Sequence, residues 1–257
     1  LKRTWLFALI LIWAGTGIGA SARAQDAVRI AFDDASPMTS RTVRQTPKFQ
    51  IYPAVVRRAF EHMGIPVQFD SLPFNRVLAE LRSGDIGAGA VVDTEERREF
   101  GDFSEPYFTE QLMVYSRKDD HLNFRNPADF NGHAIGVLRG WSYGALFDDA
   151  RKKGKLNVQE VDSDEQNFSK LQLGRVDYVV APWQSGQILL SQARFADLVR
   201  QHQPLSETPI CLAFNKTAQR KTLLANFNQT IRAMKSSGEI DKLIHEGIAQ
   251  AMSGARK

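Results

Sequence analysis

Cysteine is almost missing from this chain: Cys211 is the only one in 257 residues. An intramolecular disulfide and a cysteine-based zinc cluster are therefore both excluded. Cys211 stands in the apolar run TPICLAFN and reads as a small buried hydrophobe. Histidine is sparse as well. His62, His121, His133, His202 and His245 are scattered, with no H-x-x-x-H or similar ligand spacing. No metal and no cofactor are expected. Beyond residue 24 no stretch is long and apolar enough to span a membrane. There is no internal repeat and no low-complexity linker. Charge of one sign is not in large excess, the formal balance being +4. Basic residues do not form a stripe interleaved with aromatics, so no nucleic-acid partner is expected.

The chain opens with Lys2 and Arg3, an apolar run from Trp5 to Ala14, and small residues leading to Ala22-Arg23-Ala24. A secretory signal peptide has that order of positive, apolar and cleavage regions. Gly15, Gly17 and Gly19 break the run short of the roughly 20 apolar residues that a membrane span needs. The expectation is a signal peptide over residues 1–24, mature residue Gln25, and a periplasmic location. No cysteine stands at the cleavage site, so no lipid anchor is expected. Cleavage removes Lys2, Arg3 and Arg23 and no acid, leaving the remainder close to neutral.

The rest alternates. VRIAF (28–32) is strand-like. QIYPAVVRRAFEHMG (50–64) sets Ile51, Val55, Ala59, Phe60 and Met63 on one helical face, with Pro53 suited to the first turn. IPVQFDSL is a strand, PFNRVLAELRSG (73–84) a helix and DIGAGAVV (85–92) a small-residue strand. A short helix, DTEERREF, follows. Strands are then expected at 110–118, 133–138, 156–161, 175–181 and 207–215. Helices are expected after RGWSYG (139–144), over 162–174 and in WQSGQILLSQA, with two more at the C-terminus. This alternation predicts parallel sheets with helices on both faces. Ligands on such sheets bind beyond the carboxyl ends of strands, near helix N-termini. Asp93 looks like the N-cap of the short helix, with Glu96 as its capping-box partner. Arg98 reads as a solvated surface residue.

Several of these segments resemble one family. DTEER…FGDFSEPYF is similar to the threonine-proline-glutamate-arginine and FS-x-PY segments of bacterial extracellular solute-binding proteins, family 3. LPFNRVLAELRSGDIGAG, NPADFNGHAIGVLRG, KLQLGRVDYVV and FNQTIRAMKSSGEIDKLIHEG resemble further family segments, in the family's order, across residues 26–247. The resemblance implies an α/β, two-lobed periplasmic-binding-protein-like fold (type II). Each lobe would be a mostly parallel sheet flanked by helices, with two crossing strands joining the lobes. Lobe one would comprise residues 25–110 and 213–257, and lobe two residues 111–212. A small-molecule ligand would sit in the cleft, closed over by a hinge motion. A membrane ABC permease is the implied transient partner, and a monomer the implied state.

The resemblance assigns Arg97 to clamping a ligand carboxylate. The guanidinium fork matches a carboxylate bidentately and keeps its charge. Phe74 falls on an aromatic that packs against ligand in relatives, though it also belongs to a helical apolar stripe. Gly140, Trp141 and Ser142 fall on a second carboxylate contact, where backbone N–H groups at a helix start favour anions. Tyr143 is expected to pack inward. Two departures stand out. Relatives that bind amino acids place Ser or Thr five residues before the arginine, where this chain has Val92. They place Asp after the lobe-two strand to hold the α-ammonium, where this chain has Pro182, followed by Trp183. After the first strand, Asp33 and Asp34 are present, and Ser36 is the nearest match to an aromatic of relatives.

A buried ammonium without a carboxylate partner is strongly penalised. An ordinary α-amino acid therefore fits less well than a carboxylate-bearing or uncharged solute, unless Asp33 or Asp34 replaces the missing acid. The resulting expectation is a binding protein, not an enzyme, that delivers a small polar or carboxylate-bearing solute to an ABC importer. Two alternatives stay open. One is a cyclohexadienyl-dehydratase-like enzyme using Asp33, Asp34 or Glu105 as its acid. The other is a soluble sensory subunit.

Overall fold

Alternating strand and helix formers assemble, in a computed structural model that describes residues 27–39, 51–196 and 199–255, into two sheets that share one long strand. The expected signal peptide lies outside the described residues. In the first sheet β1 (Val28–Asp33) is central. It pairs in parallel with β2 (Val67–Leu72) and β3 (Gly87–Val91). In the second, β6 (Ala134–Leu138) pairs in parallel with β7 (Asn157–Val161) and β8 (Tyr178–Pro182). Two antiparallel strands connect these trios. β5 (Phe108–Arg117) pairs with β8, and β9 (Val199–Asn215) pairs with β5 over most of its length and with β3 further on. The fold is thus the two-lobed α/β architecture expected.

β9 is longer than the strand expected at 207–215. The polar segment RQHQPLSE also pairs with β5, at the cost of register shifts around Met113 and Pro204. A sheet edge with one solvated face tolerates polar residues and proline, so hydrophobic pattern could not flag it. The short β4 (Gly101–Phe103) also escaped the pattern. It pairs with the far end of β9. The FSEPY segment then stitches itself to β9. The Ser104 amide donates to the Leu212 carbonyl, the Leu212 amide donates to the Ser104 hydroxyl, and the Tyr107 amide donates to the Ile210 carbonyl.

The first lobe's core forms where α1 (Ile51–His62) packs with α8 (Ala218–Ser236) and α9 (Glu239–Ala255) over the sheet. Leu224, Phe227, Ile231 and Met234 are all buried there. Each such side chain contributes roughly 1.5–3 kcal/mol by leaving water. The small-residue strand β3 has a steric reason. A Cβ on Gly89 would lie 2.2 Å from the Phe32 ring, and one on Gly87 would lie 2.3 Å from Phe214. Cys211 is buried, and burial pushes its thiol up to about 12, so it is inert at neutral pH. In the second lobe, aromatic side chains of Phe124, Phe130, Tyr178 and Phe147 pack edge-to-face or stacked. No helix among the described residues is long and apolar enough to cross a membrane.

Candidate functional site

The carboxyl ends of β1 and β3 and the crossing strands β5 and β9 meet lobe two around a small pocket of about 20 Å³. Phe74, Ala90, Val91, Val92, Trp141 and Ile210 form its apolar wall. Asp33, Thr39, Tyr52, Arg97, Glu110, Ser142 and Thr208 supply its polar groups.

Arg97 lies on the single turn α3 (Glu95–Arg98). Thr94, not Asp93, caps that turn: its side chain accepts from the Arg97 amide at 3.3 Å. Asp93 instead grips Arg98 with two bonds of 2.7 and 2.8 Å. The capping box expected from Asp93 and Glu96 is therefore not formed. A β-branched hydroxyl in extended backbone reaches the N3 amide directly, which leaves the carboxylate free to pair.

The Arg97 side chain turns back from the helix and is only 6% exposed. One terminal nitrogen donates to the Val92 carbonyl at 2.8 Å. The other donates across the cleft to the Gly140 carbonyl at 3.1 Å. The guanidinium carbon stands 5.2 Å from the centre of the Phe74 ring. Burial lowers its pKa to about 10, opposed by Asp148 and Glu96 at longer range, so it remains charged at neutral pH. Among the described residues no carboxylate forms an ion pair with it. A desolvated cation held by neutral carbonyls is a strong anion site, because those dipoles orient the fork without neutralising it.

Phe74 begins α2 (Phe74–Ser83) and both packs in the core and lines the pocket. It belongs to an apolar cluster with Val77 and Leu81, and its ring faces the pocket 6.1 Å from that of Trp141. Gly140 has φ +75°, and a Cβ there would approach the Asn75 side chain to 2.4 Å. Only glycine permits both the turn and the close approach of the lobes. Trp141 closes the pocket from lobe two, and its indole N–H has no partner among the described residues.

The anion-binding turn expected at Ser142 is engaged internally. The Ser142 hydroxyl and Tyr143 amide both donate to the Asp148 carboxylate, at 2.5 and 3.0 Å. Asp148 sits in the first turn of α4 (Ala145–Lys152), which begins after Gly144. Tyr143 packs inward, its hydroxyl accepting from the Leu138 amide.

Val92 lines the pocket. Pro182 does not: it ends β8 and forms the N-cap of α6 (Trp183–Leu190). Trp183, the first residue of that helix, is 38% exposed and also stays out of the pocket. The expectation that both face the ligand is not met, because the strand-to-helix corner turns them elsewhere. Ser36 is buried and also outside the pocket. Its hydroxyl meets that of Ser185 across the lobes at 2.7 Å. Beside it the Asp164 amide donates to the Ala35 carbonyl.

Asp33 does line the pocket, while Asp34 is exposed. Asp33 is 2% exposed and accepts from the Ala35 amide and the Thr39 hydroxyl. Desolvation raises its pKa to about 6 against those bonds. Glu105, also offered above as an acid, is exposed and pairs with Arg232. Glu110 was missed. It is 1% exposed on β5 and accepts from the Tyr52 hydroxyl at 2.5 Å. Burial pushes it to about 7. A signal was present: in FTEQLMV, Glu110 keeps the period of two with Phe108, Leu112 and Val114, placing it on the inward face. Tyr52 and Thr208 had no comparable signal.

The geometry defines a two-lobed protein with Arg97 facing the pocket between its lobes. The sequence model of the bacterial extracellular solute-binding proteins, family 3, matches residues 28–246, and the chain belongs to that family. A probable histidine-binding protein of Campylobacter jejuni is 29% identical over 70% of this chain and 69% of its own length. An arginine-binding extracellular protein of Bacillus subtilis is 25% identical over 70% of each chain. In fold, the chain is similar to an amino acid ABC transporter substrate-binding protein of Streptococcus pneumoniae bound to L-arginine. That match has a TM-score of 0.74 and 20% identity, and covers 88% of this chain and 96% of the other.

Proposed function

We propose that this protein captures a small carboxylate-bearing solute, an amino acid or related organic acid, between its lobes and delivers it to a membrane ABC permease. One observation carries the reading: Arg97 is buried in the cleft as a charged fork, held by two carbonyls and a ring face. The relatives named for histidine and arginine support a ligand of that class. Lobe one spans 25–110 and 213–257, lobe two spans 111–212, and β5 and β9 form the hinge between them. The protein acts as a monomer in the periplasm after removal of residues 1–24, and it binds without converting its ligand. Titration calorimetry of Arg97→Lys tests the role of the fork. A point charge keeps some attraction but loses the bidentate geometry, so carboxylate affinity falls by about tenfold or more. Unchanged affinity overturns the assignment.

A second reading has its own support. Asp33 and Glu110 hold protons close to neutral pH beside a carboxylate-binding arginine. A dehydrating enzyme on this scaffold needs such an acid. Incubation with prephenate separates the two: spectroscopic turnover favours the enzyme, and its absence favours the binding protein.

A further inference from the structure

Among the described residues the pocket is lined by two carboxyls, Asp33 and Glu110, and one guanidinium, Arg97. Glu110 and Asp33 enter from β5 and β1, each nearly inaccessible to bulk solvent. Thr208 lies on β9 two pairs' distance from the hinge-side end of β5, directly opposite Glu110 in the β5–β9 register. Its hydroxyl is buried, lines the same pocket and has no partner among the described residues. Phe74, Trp141, Val91 and Ile210 also line the pocket, and of these side chains only Trp141 carries a polar group, its indole N–H.

We propose that Glu110, aided by the hydroxyls of Tyr52 and Thr208, takes a cationic nitrogen of the same solute whose carboxylate Arg97 holds. The inference rests on the Arg97 reading. It moves the ammonium-reading acid from the strand end of lobe two, where Pro182 stands, to a strand that crosses between the lobes. A hinge strand is a fitting place for such a contact, since it belongs to neither lobe alone and is formed before they close.

The groups facing Glu110 make its charge conditional. Tyr52 donates to it and favours the ionised form. Asp33 disfavours that form, and Asp164, Tyr107 and Tyr143 also feel its charge. An ammonium beside Glu110 supplies a countercharge and releases the proton. Affinity for an amine therefore rises with pH through the range near 7, by up to about tenfold per pH unit below the midpoint.

The test starts with a thermal-shift screen of the standard amino acids, each alongside its deaminated and decarboxylated analogue. The tightest carboxylate goes to calorimetry against wild type, Glu110→Gln, Thr208→Val and Arg97→Ala at about pH 5.5, 6.5 and 8. The expected result is that the amino-bearing ligand outbinds its deaminated partner by roughly tenfold or more at the highest pH, with the gap closing on acidification. Glu110→Gln removes both the gap and the pH slope while keeping the deaminated ligand's affinity, and Thr208→Val narrows the gap. Tyr52→Phe retains Glu110 but moves the pH midpoint upward, so the inference stays testable should Glu110→Gln fold poorly. A gap and slope that survive in Glu110→Gln, or a deaminated ligand that binds as tightly as its parent and is lost in Arg97→Ala, overturn this inference alone. Binding that ignores both Glu110→Gln and Arg97→Ala, or no carboxylate bound at all, overturns the Arg97 reading with it.

Discussion

The two walls of the cleft are unequal. Among the described residues, lobe one and the crossing strands bring a guanidinium, two buried acids and three hydroxyls to the pocket, while lobe two brings an indole and one hydroxyl. The hydroxyl is already bonded to Asp148 within its own loop. Lobe two thus meets the pocket with its hydroxyl internally satisfied and the Trp141 indole N–H without a partner among the described residues, and it is linked to Arg97 through the Gly140 carbonyl. The difference separates recognition from closure. On the proposed function, chemical reading falls to lobe one and the crossing strands, and lobe two serves chiefly as a hydrophobic cover that excludes water and strengthens the charges beneath it.

The largest expected effect is at the charged end. Arg97→Ala leaves a ligand carboxylate desolvated and unpaired, at a cost of about 3 kcal/mol or more, or at least a hundredfold in Kd by calorimetry. A smaller loss would mean that lobe two shares the carboxylate after all. Trp141→Ala removes the cover rather than the grip. Affinity should fall by about tenfold, mainly through faster release seen in stopped-flow fluorescence.

Glu110→Gln breaks the comparison in a different way, through stability without ligand. The carboxyl's folded pKa of about 7 lies above its ordinary 4.5, so the folded state holds the proton more tightly than the unfolded chain. The stability this gives is fully present below about pH 4.5 and is lost as pH rises through about 7. The span is on the order of 3 kcal/mol. The glutamine variant should show a flatter profile of Tm against pH, with its gain over wild type largest at alkaline pH. An equal shift at all pH values would mean that the carboxyl is not the cause.

Asp148→Ala examines the other wall. It frees the Ser142 hydroxyl and the Tyr143 amide and removes an anion from the first turn of α4. Stability should fall by about 1–2 kcal/mol. Affinity should move less than about threefold, because those donors serve the loop. A marked gain in carboxylate affinity would show that lobe two has a latent anion site. Smallest of all is Pro182→Asp. That side chain is outside the pocket and at the N-cap of α6, a position that accepts aspartate. Amino-acid affinity should stay within about twofold by calorimetry. A large gain would return the ammonium contact to this corner of lobe two.

Most strands and helices were legible because each repeats a hydrophobic period over several residues, as in Leu224, Phe227, Ile231 and Met234. That Arg97 turns into the cleft was legible for a different reason: its segment, DTEER, resembles one of the family's. Legibility failed where several partners compete for one group, whether they are near in sequence or far. Thr94 displaced Asp93 as the cap because Asp93 had Arg98 to bind. Asp148 consumed the donors of Ser142 and Tyr143 from the following helix. The polar half of β9 became a strand only because β5 offered it an unpaired edge.

By itself, then, the sequence determined the alternating α/β layers, through hydrophobic periodicity, and the family with its arginine, through segments that resemble the family's own. It also determined that position 182 has no acid. What only the tertiary structure decided is where an acid stands instead. Glu110 meets Tyr52 across 58 residues and Asp33 across 77, and both carboxyls acquire raised pKa values only when the lobes and crossing strands remove water around them. Desolvation is a property of the assembled surroundings, so no pattern along the chain expresses it.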